Sequence, residues 1–148
     1  MISYRSFISF VLALLAVVLV SCGGPTATVA PPTYTPVQLE RIQQYVPGIL
    51  ATHQRLGDLQ AKIQAEDWQE VKAIMRGPLG QMRQDMTSLT RNLLPQDQKA
   101  ARQAARDFFD DLVDIDQAAE NQKVDVAIRS YGAAVQDFDK FMQLIPTA

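Results

Sequence analysis

Residues 95–121 read PQDQKAARQAARDFFDDLVDIDQAAEN, and this stretch decides the fold. Ala101, Ala105, Phe108, Leu112, Ile115 and Ala119 recur at alternating steps of four and three, which places them on one face of an α-helix. Pro95 suits the first helical turn, because its missing N–H has no partner there anyway. Asp97 sits near the positive end of the helix dipole, and Asn121 is placed to close the helix as a left-handed cap. A stripe of this kind is stable only against other helices, so the flanking sequence must supply them.

It does so on both sides. Residues 124–144 carry Val124, Ile128, Tyr131, Val135, Phe138 and Met142 at helical spacing, with Ile145 just beyond. Residues 67–93 carry Trp68, Val71, Met75, Leu79, Met82, Met86, Leu89 and Leu93, with Gly77-Pro78 set to bend the helix. Residues 37–64 carry Ile42, Val46, Ile49, His53, Leu56 and Ile63, with an interruption expected near Val46 at Pro47-Gly48. The spacing is that of left-handed bundles, and short loops make neighbouring helices antiparallel. No alternating strand pattern and no Asn-Gly or Asp-Gly hairpin signal competes. The expectation is an all-α, up-down-up-down four-helix bundle over residues 37–148, about 110 residues, enough to bury a core if all four stripes meet.

The front of the chain is different. Arg5 is the only charged residue before Glu40, and an apolar run from Phe7 to Val20 follows it, interrupted by Ser9. That is a positive n-region and an h-region, too short for a comfortable membrane span. Leu19-Val20-Ser21-Cys22 then resembles a bacterial lipobox, in which the cysteine thiol takes a diacylglycerol and cleavage falls before it. Residues 1–21 are therefore read as a lipoprotein signal peptide and Cys22, the one cysteine in the chain, as the lipidation site. Two or more acyl chains at ~0.8 kcal/mol per buried methylene give lasting attachment to a membrane. Residues 22–36 lack charge and hold Pro25, Pro31, Pro32 and Pro36, so they read as a lipidated, Pro-rich tether. At ~3.1 Å per residue such a tether spans roughly 40 Å.

Composition excludes several kinds of chemistry. One cysteine leaves no internal disulfide and no CxxC motif, and one histidine leaves no multi-histidine metal centre or di-iron site. A haem would need His53 with a methionine, yet Met75, Met82, Met86 and Met142 fall on core stripes where methionine fills gaps. No Gly-x-Ser-x-Gly is present. The protein is read as a non-enzyme with no resident cofactor. Lys plus Arg number 14 against 16 Asp plus Glu, a net charge of −2 that argues against nucleic acid.

Charge placement says more. Residues 72–106 hold seven basic groups and two acids; residues 107–148 hold nine acids and three bases. Lys72, Arg76 and Arg83 are candidate partner contacts on the basic side, and Asp110, Asp111 and Asp114 on the acidic side. Asp107, Asp111 and Asp114 share a helical face. With His53 they are the weak metal candidates, implying at most a loose calcium association, because the glycine-bearing loop of a dedicated calcium site is missing.

Trp68-Gln69-Glu70-Val71, Arg76-Gly77-Pro78-Leu79-Gly80, Leu93-Leu94-Pro95 and the segment from Tyr131 to Phe141, in this order and spacing, carry a resemblance. The chain resembles the cyanobacterial type of the PsbQ family, extrinsic lumenal subunits of photosystem II, and the likeness covers essentially the whole mature chain. The resemblance implies a four-helix bundle lipid-anchored at the lumenal side of the thylakoid membrane. It implies docking near the antenna protein CP47 and the manganese-stabilising protein PsbO, and support of water oxidation when calcium or chloride is scarce. The alternative from the residues alone is a periplasmic lipid-anchored bundle that binds another envelope protein or a small ligand.

Overall fold

The computed structural model describes residues 32–147. The segment read as a signal peptide, Cys22 and the first part of the segment read as a tether lie outside them. Within the described residues six helices form four arms. The first arm is α1 (Pro36–Gln43) and α2 (Val46–Gln64), and the second is α3 (Trp68–Arg76) and α4 (Pro78–Asn92). The third is α5 (Pro95–Glu120) and the fourth α6 (Val124–Gln143). Each arm packs on its sequence neighbours and the first closes on the fourth, which is the up-down-up-down bundle the spacing predicts.

The two breaks have local causes. Pro47 has no N–H to give Gln43, and its ring would strike that carbonyl, so a straight helix cannot pass. The chain tightens instead, with Tyr45 N–H bonding Ile42 O at 3.1 Å, and then resumes. At Pro78 the second arm turns on Gly77, whose φ −88° and ψ −101° suit a residue without a side chain. A Cβ there would stand 3.2 Å from the Ala73 carbonyl. The start of α1 is fixed by reciprocal bonds: Gln38 N–H donates to Thr35 Oγ1 at 3.3 Å, and Thr35 N–H donates to Gln38 Oε1 at 3.0 Å. Just before it, Tyr34 O–H donates to Asp97 Oδ2 at 2.6 Å and its oxygen accepts Leu94 N–H at 3.2 Å. Tyr34, in the stretch read as tether, is thus held at the α4–α5 corner.

The α2–α3 and α5–α6 corners are built alike. In one, Asp67 N–H reaches back to Lys62 O at 3.0 Å; in the other, Lys123 N–H reaches Ala118 O at 2.9 Å. Each needs one left-handed residue, and these are Glu66 and Gln122, both at φ 55°. The expected cap, Asn121, has φ −94°, so the left-handed turn falls one residue later.

The core joins all four arms. Ile42, Ile49, Leu56, Leu59 and Ile63 meet Val71, Leu79, Met82, Met86 and Leu89 from the second arm, with Phe108, Leu112, Ile115, Phe138 and Phe141 from the others. The α6 stripe is rotated from its expected register. Ala127, Ala134, Phe138 and Phe141 are buried, whereas Ile128 is 45% exposed. Small residues let α5 and α6 approach closely along their length, the most extensive helix pairing in the bundle.

Candidate functional site

A row of rings crosses the waist of the bundle. His53 of α2 stacks on Phe138 of α6, centroids 4.1 Å apart and planes at 14°. Phe138 meets Phe108 of α5 edge-on at 5.7 Å, and Phe108 meets Phe109 at 4.8 Å. Phe109 ends the row under the Arg83 guanidinium, 4.1 Å above the ring. Geometry of this kind contributes about 0.5–1 kcal/mol at an exposed site and holds the cation in place. His53 is therefore a packed member of the core edge.

Arg83 is also the middle of a shallow groove between the second arm and α5, of ≈ 180 Å³. Arg76 lies in the same groove, so the two cations singled out from spacing do share a site. Met75, Leu79, Phe109 and Val113 supply its apolar lining, and Val113 is 47% exposed. Asp116 lines it too, and its Oδ1 is buried with no hydrogen-bond partner. Lys72 stands one helical turn before Arg76 and is half-buried. Sequence reasoning missed Phe109, Val113 and Asp116. Phe109 follows Phe108 directly and is buried as well, but about 100° further round the helix, which turns it toward the second arm.

The ion pairs among the described residues fall elsewhere: Arg55–Asp58 at 3.4 Å, Lys62–Asp67 at 3.1 Å, Arg129–Asp125 at 3.2 Å and Lys140–Asp137 at 2.6 Å. Lys62 holds the Asp67 carboxyl below its ordinary range, helped by Glu70 N–H. A second depression of ≈ 580 Å³, between α2 and the second arm, is rimmed by Arg55, Asp58, Lys62 and Glu70, so its charges largely satisfy one another. The basic residues of 72–106 have no such partners.

The acidic face lies on α5 and α6. Asp107, Asp111 and Asp114 are joined by Asp137 of α6, a neighbour the sequence could not supply. Burial, then the charge of Asp137, pushes the Asp111 carboxyl up to about 6. Its Oδ2 is buried without a partner. Asp137 accepts Lys140 Nζ, and this holds the Lys140 ammonium above its ordinary range. Asp107 accepts from Gln103 at 2.7 Å, and Asp110 is exposed. Among the described residues no three His, Cys, Asp or Glu side chains gather as a metal-holding group. No described helix is long and apolar enough to cross a membrane.

Comparison with known proteins gives two findings. The family model PsbQ, described as oxygen evolving enhancer protein 3, matches residues 2–146. A protein of Synechocystis sp. named CyanoQ is 37% identical over 145 residues, covering 97% of each chain.

Proposed function

The chain belongs to the PsbQ family of oxygen evolving enhancer proteins, and from that premise we propose that it is an extrinsic, non-catalytic subunit of photosystem II. The observation that carries the reading is similarity over nearly the whole length of both chains, signal segment and bundle together. In this reading Cys22 bears the lipid, residues 22–36 tether the bundle, and the protein works on the lumenal side of the thylakoid membrane. CP47 and PsbO are the neighbours it meets, and its effect is to stabilise the oxygen-evolving complex and sustain water oxidation at low calcium or chloride. The groove with Arg76 and Arg83, flanked by Lys72, is the leading docking surface; Asp110, Asp111 and Asp114 form a second.

A shallow, apolar-floored groove under fixed cations suits binding another polypeptide, since nothing in it pairs a nucleophile with a base. The test is affinity capture of C-terminally tagged protein from mildly solubilised membranes, followed by mass spectrometry. Photosystem II core and extrinsic subunits enriched over an untagged control are the expected result, and their absence with an intact bait overturns the reading. A Cys22→Ala variant is expected to leave the membrane fraction or to stay unprocessed. Mature Cys22→Ala protein that still sediments with membranes removes the lipid assignment.

A further inference from the structure

The basic groove is one part of a longer stripe. On α5, Arg102 and Arg106 lie seven residues before Phe109 and Val113 respectively, two turns along the same face. On α4, Arg91 lies three turns beyond Gly80, which lines the groove. Because the second arm and α5 are antiparallel and meet at the corner before Pro95, these three cations continue the line of Arg76 and Arg83 toward that corner. All five are exposed, and none takes part in an ion pair among the described residues. Arg102 donates to Gln98, a neutral partner, at 3.0 Å.

We infer that the seam between α3–α4 and α5 receives an acidic polypeptide segment of the partner, laid along the helices with one apolar side chain seated beside Val113. The inference rests on the docking reading above and adds the chemistry of what docks. Charge complementarity argues for an anionic occupant: a row of unpaired cations on one seam is costly in self-repulsion and is relieved by carboxylates. The apolar floor argues for a polypeptide over a lipid headgroup layer, because headgroups offer nothing to cover Met75 and Val113. From Arg76 to Arg91 the seam runs about 22 Å at 1.5 Å per residue, the reach of roughly seven residues of extended chain. A backbone N–H or hydroxyl of that segment would also give the buried Asp116 oxygen a donor.

The experiment titrates the full chain, in mild detergent, against salt-washed photosystem II core particles that lack their extrinsic subunits. Arg83→Glu is expected to weaken binding about 10-fold, and Arg76→Glu/Arg83→Glu/Arg106→Glu about 100-fold or more, with the slope against salt reduced. Val113→Ser, which leaves charge untouched, is expected to weaken binding several-fold. Asp139→Lys, at an exposed residue of α6 off the seam, is expected to stay within about twofold. Circular dichroism melts confirm that each variant is folded. Wild-type binding with reversals that change it less than about twofold overturns the inference and leaves the docking reading standing. No wild-type binding removes the docking reading, and the inference with it. Reversals that instead abolish self-association in sedimentation, or binding to anionic vesicles alone, reassign the seam and overturn the inference.

Discussion

The first two arms and the last two are built on opposite plans. Each of the first two is cut by a proline, at Pro47 and Pro78, and packs through large side chains, Ile49, Leu56 and Ile63 in the first and Met82 and Met86 in the second. The last two run unbroken for 26 and 20 residues and meet through alanines. The unbroken hairpin forms the most extensive helix–helix contact of the described bundle. The interrupted half bends around it, and the groove beside the Gly77-Pro78 break holds Arg76 and Arg83, neither in an ion pair among the described residues. Continuity serves packing here, and interruption makes a surface.

Six substitutions test this contrast, in falling order of effect. Phe108→Ala removes the ring at the centre of the waist and is expected to cost about 4 kcal/mol in urea unfolding. Because that ring reaches the interrupted half through Phe138, stacked on His53, and Phe109, under Arg83, a single transition should survive; two separate transitions would show that the halves fold independently. Ala134→Leu, fully buried in the close α5–α6 contact, is expected to cost about 2–3 kcal/mol from overpacking. Met82→Leu in the looser half should cost less than about 1.5 kcal/mol. Equal losses at the two positions would erase the proposed difference in packing.

Asp111→Asn probes the acidic side of the unbroken hairpin. In the folded protein this carboxyl is raised to about 6 from an ordinary 3.8, so folding favours its protonated form. That contribution is complete below about pH 4 and is lost as pH rises through about 6. Asn keeps the neutral state at every pH. The variant is therefore expected to match wild type at pH 4 and to be more stable at pH 7.5, by on the order of 1 kcal/mol after allowing for solvent screening. A pH-independent difference in thermal melts would contradict the assignment. The smallest effect is shared by the two halves. Glu66→Gly and Gln122→Gly each relieve a left-handed residue at like corners, and each should raise stability by about 0.5–1 kcal/mol. A gain at one corner alone would break the equivalence.

The four stripes and both breaks were legible in the sequence because they depend on period and on proline, which are local. The register of α6 was not. Hydrophobic periodicity favours the larger residues Val124, Ile128 and Tyr131, but a close helix contact selects by size and buries Ala127 and Ala134. Ala104 and Ala118 on α5 went unread for the same reason. In the groove, Arg76 and Arg83 were found from their spacing of seven. Phe109, Val113 and Asp116 required the pairing of α5 with the second arm, which no local pattern encodes. Asp137 joined Asp111 only through the α5–α6 register.

Tyr34 has a mechanical consequence. Its phenol fastens the incoming chain to Asp97 and Leu94 before α1 begins. A tug arriving along the preceding residues therefore loads the joint between the second and third arms before it reaches α1. The joint that bears this strain is the corner toward which the row of free arginines runs.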